Sequence, residues 1–416
     1  MLCTGICLGL WLNANSARAA FANYNSLLIG DRAAGMGGAY TALTGDPAGV
    51  SFYNPASLSR MRGTSLSASA NVYHKYDIKY GEEEDSLLGA VLRVNRGAFK
   101  SIPSASGGLL SFRRFAVGFS IIVPDHHFFS GKVRADSDTV SFLTLADSSL
   151  WAGGNFAYNI DQKQSLGLTA YYTSRDYLRS VTDQTLVANA SGALLSEEKA
   201  FKHNSLVYIL GYFYQLDPHW SLGLSARFPS IEIYGQGSYY RTRFESNGGL
   251  LAETVSEPDI KSETRIPSKV NLGLAFTQTQ RLILSLDLQY YGPETYLDLD
   301  HALGGDLIIH QPVLNGAVGV EWYYRPYLRI RAGAFSNLSS HPKINLDLAQ
   351  RQGDHIDMWG FSANIAFFSS ESASFSFGGY FSGGSGSSTQ IFKQKIVEVA
   401  KEYRVFSMLI SSAYYF

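Results

Sequence analysis

The sequence predicts an all-β protein: a closed, fourteen-stranded antiparallel β-barrel that spans a membrane and carries its N-terminal segment in the lumen. Three observations predict it. The 416 residues include only 17% charged ones against 13% aromatic, with 40 Gly, 26 Tyr and 25 Phe, a balance that suits strands and tight turns better than helices. Runs of roughly ten residues alternate apolar and polar along most of the chain. The connections between those runs alternate short and long, the pattern of an outer-membrane barrel.

Residues 1–19 read as an export signal. Ile6 to Leu12 form a short apolar run, and Ala17-Arg18-Ala19 supplies a small-x-small cleavage site before Ala20. No Lys or Arg precedes the run, an atypical start that puts the position of the first Met in question. Cys3 and Cys7 are the two cysteines, both inside this stretch. The mature chain is therefore expected to use no disulfide and no Cys-based metal or nucleophile. No later stretch has the roughly 18 apolar residues of a spanning helix. The net charge of −1 leaves no basic surface for nucleic acid.

From Thr64 to the end the expected strands are 64–76, 101–112, 115–124, 150–160, 165–177, 202–216, 220–234, 264–278, 281–291, 312–324, 327–336, 355–368, 373–382 and 403–416. Each suffices for a tilted crossing of roughly 9–11 residues. Arg113-Arg114, Asp217-Pro218-His219 and Arg325-Pro326 are typical of the short turns. The long connections are 77–100, 125–149, 178–201, 235–263, 292–311, 337–354 and 383–402. In the ninth run Leu282, Leu284, Leu286, Leu288 and Tyr290 make one row, with Ser285, Asp287 and Gln289 in the other. A soluble sandwich alternates too. A membrane is favoured because the second row is rich in Gly, Ser and Asn, the apolar rows of the eighth, ninth and eleventh runs carry no charge, and aromatics such as Trp220, Trp322 and Tyr327 gather near strand ends. The last run places Phe406, Met408, Ile410, Tyr414 and Phe416 on one row. That ending resembles the terminal signal of outer-membrane barrels, which implies the barrel-assembly machinery as a partner through Phe416. The expected location is the bacterial outer membrane, with membrane lipid around the barrel and both mature termini periplasmic.

Residues 20–63 do not read as strand. Gly30 to Pro55 is Gly-rich, yet no βαβ unit surrounds it and no Lys-Ser/Thr pair follows, so a nucleotide loop is rejected. A plug within the lumen fits better, because fourteen strands enclose more space than their side chains fill and Gly allows close backbone approach. The stretch Gly35–Leu58, GMGGAYTALTGDPAGVSFYNPASL, resembles the N-terminal hatch of the FadL-type family, the outer-membrane transporters of long-chain fatty acids and other hydrophobic compounds. Gly35, Gly37 and Gly38, with Asn54-Pro55-Ala56, carry the likeness. Leu222–Pro229, Pro267–Phe276, Leu284–Gly292 and Arg329–Ala334 echo it along the barrel. The resemblance implies a fourteen-stranded barrel (64–416) gated by a hatch (20–63), with no cofactor and no enzymatic activity.

Several residues are candidates for function. Loops 178–201 and 235–263 carry Leu186, Val187, Leu194, Leu195, Tyr239, Tyr240, Phe244, Leu250 and Leu251. These form an apolar ligand-capture surface in the resembled family's manner, or pack the loops on each other. Arg227, Lys269, Asp287, Glu321, Arg329 and Arg331 fall on lumen rows. They either meet a ligand's polar head or, as favoured here, hold the hatch and line wet space. Asp125-His126-His127 in a long loop is read as solvated rather than as a metal or acid–base site. Pro124 or Gly118 in the third strand marks a place where the family's side opening would lie, since Pro lacks the N–H for pairing. The expected function is passive, hatch-gated transport of a hydrophobic small molecule. The alternatives are a secretion accessory or surface scaffold on the same barrel and, less favoured, a barrel lipase.

Overall fold

The computed structural model describes residues 22–80, 92–135, 139–187, 191–246, 250–278, 281–348, 352–370, 372–392 and 395–416. The signal-like segment 1–19 lies outside them. Fourteen strands form the ring. They are β1 (Thr64–Tyr80), β2 (Leu92–Ser111), β3 (Phe115–Ala135), β4 (Thr139–Asn159), β5 (Gln164–Val187), β6 (Ser191–Gln215), β7 (Trp220–Arg227), β8 (Lys269–Gln278), β9 (Leu282–Tyr291), β10 (Val313–Arg325), β11 (Leu328–Asn337), β12 (His355–Phe368), β13 (Ala373–Phe392) and β14 (Lys395–Tyr415). Each is antiparallel to its neighbours, and β1 pairs with β14 from Ser65↔Tyr415 onward, which closes the sheet.

Alternation sorts side chains as the sequence suggested. On β9 Leu284, Leu286 and Leu288 are exposed on the outer face, while Ser285, Asp287 and Gln289 are buried. The outer surface is a band of Leu, Val and Phe, among them Leu66, Leu110, Phe119, Leu272, Val318 and Phe377. At its short-turn edge aromatics cluster: Phe112 stacks on Phe115 at 4.5 Å, and Trp322 meets Tyr324 edge-on at 5.2 Å. So large an apolar surface exposed on every side is inconsistent with a water-facing exterior. Replacing Leu286 with Arg is expected to cost about 2–4 kcal/mol if it faces the middle of a bilayer. Refolding titrations into lipid vesicles measure this, and a cost near zero would place Leu286 outside the membrane.

Several boundaries differ from expectation. The described parts of 125–149, 178–201 and 383–402, read as loops, instead lengthen β3, β4, β5, β6, β13 and β14 into ribbons paired beyond the apolar band. The ribbons expose charged residues such as Asp176, Lys202, Glu402 and Arg404, which break the apolar rows that reveal a crossing. The expected strand 220–234 stops at Arg227, where Pro229 cannot donate to a ladder. Residues 235–263 are largely a hairpin, Ile231–Ser246 with Leu250–Lys261, whose first strand pairs with the upper part of β6. The expected start of β8 at 264 moves to Lys269, just past Pro267. A second hairpin, Glu294–Leu297 with Leu307–His310, occupies the connection after β9.

The ladder between β2 and β3 runs from Ser111↔Ala116 to Ala105↔Ile122 and, among the described residues, goes no further. Both strands continue, β2 on β1 and β3 on β4. Pro103 and Pro124 sit just beyond the last pair, and the β3–β4 register slips between Ile122 and Asp125. Gly118 lies inside the intact ladder, opposite Leu109. Of the two expected marks of a wall break, Pro124 coincides with one.

Candidate lumen site

The N-terminal segment threads the barrel. Its first described residue, Ala22, accepts hydrogen bonds from Ser340 at the long-connection end, whereas Phe416 donates to Thr64 at the short-turn end. The mature start was expected beside the C-terminus, but the described chain begins at the opposite end. It descends through two short helices, Asp31–Gly35 and Pro47–Tyr53, and a 3-10 helix, Pro55–Arg60. Apart from a few half-buried residues the whole stretch is shielded from solvent. Its Ile29, Met36, Tyr40, Val50, Tyr53 and Leu58 share one core with inward residues of the wall, such as Trp151, Tyr171 and Val207.

Glycines on the wall make this fit possible. A Cβ built at Gly223 would lie 2.0 Å from the Thr41 carbonyl oxygen, one at Gly333 2.2 Å from Met36, and one at Gly167 2.3 Å from Pro55. The segment's own Gly37 and Gly38 adopt φ of 67° and 82°, which only Gly takes without strain. Gly37 presses on Gly333 and Ala334, while Gly35 abuts Asn364 and Arg331. The Asn54 amide donates to the Thr41 carbonyl at 2.8 Å and to that of Tyr212 on β6 at 3.0 Å. Its carbonyl oxygen caps the Pro55 helix by accepting from Ala56 N–H. Asn54-Pro55-Ala56 thus forms a corner pinned to the wall.

The lumen charges divide into four groups. Asp287 is fully buried and accepts from the N–H groups of Tyr40 and Thr41, both at 2.9 Å, and from the Thr41 hydroxyl at 2.6 Å. Glu321 accepts from Arg32 at 2.8 and 3.0 Å and from Arg331 at 2.7 Å. Arg331 also reaches Asp31 at 2.9 Å. Arg32 further bonds the Thr44 carbonyl. Burial disfavours its charge, but Glu321 outweighs that and keeps the guanidinium protonated. Arg329 sits between the rings of Tyr323 and Phe368, 4.5 and 3.9 Å from their centroids, beside a chamber of about 540 Å³ at the short-turn end. Asp46 lines the same chamber, and burial together with Asp31 raises its carboxyl pKa. Arg227 and Lys269 are different, since neither forms an ion pair with a carboxylate among the described residues. Arg227 donates to the Pro267 carbonyl at 3.0 Å, and the Lys269 ammonium lies 4.8 Å from the Tyr291 ring centre.

Above the segment, Tyr24, Phe52, Trp151, Arg227, Tyr291 and Tyr296 surround a cavity of about 60 Å³ that Pro124 also lines. The wall break is therefore adjacent to an aromatic, weakly cationic space in the lumen. Asp125-His126-His127, read as a loop, belongs to β3 opposite Ser149, Ser148 and Asp147. Asp125 accepts from Ser149 at 3.1 Å. Among the described residues no three His, Cys, Asp or Glu side chains converge as a metal would need.

The residues read as ligand-capture loops lie on strands, and alternation splits them between faces. Leu194 on β6 pairs with Phe244, and Tyr240 is four pairs from it on the same outer face. Tyr239 points inward, buried, with its hydroxyl 3.1 Å from Glu197. Leu195 opposes Arg243 and Leu251 opposes Glu245, both on the inner face. Leu186 and Val187 end β5, and Leu250 opens the hairpin's second strand; their side chains fall outside the described residues. These positions do not form one continuous surface. Asp31, Arg32, Thr41, Phe52, Trp151 and Tyr291 are site residues that sequence reasoning passed over. The adjacent charges Asp31-Arg32, in a Gly-rich run whose one other charge is Asp46, were their one visible signal.

Solved structures share this fold. A Pseudomonas aeruginosa FadL homologue aligns over 95% of this chain and 100% of its own, with a TM-score of 0.73 and 15% identity. The fold is that of the FadL-type barrels. The P. putida toluene transporter TodX superposes at TM-score 0.69 over 94% of this chain and 99% of its own, with 14% identity. The monoaromatic hydrocarbon channel CymD superposes at 0.63 over 94% and 99%, also at 14% identity. No family model and no curated protein sequence matches the chain. At such identities the FadL-type likeness is one of architecture.

Proposed function

We propose that the protein is a bacterial outer-membrane conduit for hydrophobic small molecules, with residues 20–63 as its hatch. The observation that carries this reading is the aromatic lumen cavity lying directly between the threaded segment and the β2–β3 wall break. Ligand partitions onto apolar residues at the long-connection end, enters the lumen, and leaves when the hatch shifts or by way of the break. The process is passive, because concentration falls where the ligand is consumed. Long-chain fatty acids and compounds of similar hydrophobicity are the proposed ligands. The fold-level likeness to structures described as FadL, toluene and monoaromatic hydrocarbon proteins supports the class. In this reading the short turns face the periplasm, residues 1–19 direct export, and Phe416 is read by the assembly machinery.

The test compares uptake of radiolabelled palmitate and of toluene by cells that express the chain and cells that do not. Expression is expected to raise uptake of at least one several-fold. Equal uptake of both, with folded protein present in the outer membrane, overturns the transport reading and favours a scaffold or secretion role, for which a stoichiometric protein partner in detergent extracts is the mark.

A further inference from the structure

The hairpin Glu294–His310 does not stand away from the barrel. It folds back over the lumen and docks on the inward rows of β5 and β6, the same rows that touch the N-terminal segment lower down. Thr169 of β5 bonds the Ser51 carbonyl, and Gly211 of β6 abuts Asn54. Higher on β6, Lys199 is almost wholly buried, and its ammonium lies 2.6 Å from Asp298 and 2.9 Å from Asp306, the two carboxylates that close the hairpin. The Asp306 N–H donates back to Asp298 at 2.7 Å. Leu299 at the tip is fully buried among Leu145, Tyr177, Phe201 and Tyr239 of the wall. Tyr296 and His310 form the roof of the aromatic cavity. Outward, the hairpin presents Leu297, Leu307 and Ile309, all exposed.

We infer that the Glu294–His310 hairpin is a second closure of the conduit, an outer cap latched over the lumen by Lys199. The inference rests on the transport reading above and adds its regulation. Three features carry it. The hairpin lines the lumen cavity with Tyr296 and His310, and the segment lines it with Tyr24 and Phe52. Its fastening is one buried cation shared by two carboxylates, a contact whose loss strands unpaired buried charge and so acts as a release point. The rest of its margin is joined by short contacts, the bridge Ser262↔Leu299 and an Arg265–Glu294 ion pair at 3.9 Å. The cap also touches the segment, since His310 bonds Ser340, the residue that holds Ala22, and its ring lies 5.8 Å from that of Tyr24. The two closures thus meet in one contact chain.

Two measurements on the full-length protein test the cap. Ser262 and Leu299 are a non-hydrogen-bonded antiparallel pair, flanked by bonds from Glu263 N–H to Asp298 and from Asp300 N–H to Lys261. Such a pair has a Cα separation of about 4.5 Å, within disulfide range. Oxidised Ser262→Cys/Leu299→Cys protein in vesicles is expected to take up palmitate or toluene at least tenfold more slowly than the same protein reduced. Equal rates, with the cross-link confirmed, overturn the cap. Separately, Ile308→Cys on the buried face should react with a polar maleimide at least tenfold faster when Lys199→Met is added. Asp306→Asn serves in its place if Lys199→Met fails to fold, and no acceleration in a folded latch variant overturns the cap as well. Reduced protein that transports no faster than empty vesicles defeats the conduit reading, and the maleimide rates still decide the cap.

Discussion

Replacing Glu321 with Ala is expected to release the hatch and convert a closed barrel into a leaky one. Glu321 has no solvent exposure, and it is the shared acceptor of Arg32 from the segment and Arg331 from β11. Removing it strands Arg32 and Arg331 close together in the lumen beside the partly exposed Arg329, with Asp31 the nearest remaining carboxylate, on Arg331. Breaking a buried ion pair from one side costs about 3–5 kcal/mol. The cost falls on the docked arrangement, because an undocked Arg32 reaches water. At about 1.4 kcal/mol per factor of ten, the docked fraction falls by roughly two to three orders of magnitude relative to open forms. Planar-bilayer conductance is expected to change from rare openings to sustained ones, and proteolysis to cut near Arg32 in the folded barrel. The triple variant Glu321→Ala/Arg32→Met/Arg331→Met removes the stranded charges together with their partner, and is expected to recover much of the closed behaviour. Unchanged conductance in Glu321→Ala would show that the segment is held by packing alone.

The ring was legible in the sequence because bilayer and lumen impose opposite chemistry on alternate residues. Leu284, Leu286 and Leu288 against Ser285, Asp287 and Gln289 need no tertiary information to read. The ribbons above the membrane were not legible, because both of their faces tolerate polar residues: Gly383 to Thr389 looks like a flexible connection and becomes strand by pairing with β14 and, as far as Ser387, with β12. The cap was hidden for a related reason. Its strands are four residues each, and the signal that matters, Lys199 meeting Asp298 and Asp306, joins positions about a hundred residues apart. The lumen charges could be named from strand parity, but not their partners. Asp287 turned out to bind backbone N–H groups of Tyr40 and Thr41, and no sequence pattern marks backbone partners. Likewise the wall glycines were read as part of a polar lumen, and their use as recesses for the segment depends on which backbone passes by.

That use gives a second large effect, at Gly223. A β-branched residue in a strand interior ordinarily favours the strand, so Gly223→Val should leave the barrel intact or firmer. Its first side-chain atom, however, would lie 2.0 Å from the Thr41 carbonyl oxygen and 2.5 Å from the carbonyl carbon. Both are backbone atoms of a turn already fixed by Asp287 and Asn54, so no rotamer change relieves the overlap. Pairing it with Gly333→Val, where the overlap is with Met36 at 2.2 Å, attacks the segment at two points on different strands. The double variant is expected to run as a folded, heat-modifiable barrel in gels while admitting large polar antibiotics that the parent excludes, with sensitivity rising tenfold or more. Gly154→Val is the matched control, because nothing lies within 4 Å of a Cβ there and its face is the outer one. If the control and the double variant leak alike, the effect belongs to strand chemistry and not to the seat of the segment. If neither leaks, the segment has room to yield inside a closed wall, and the close approach of Thr41 and Met36 to the barrel is not what seals the lumen.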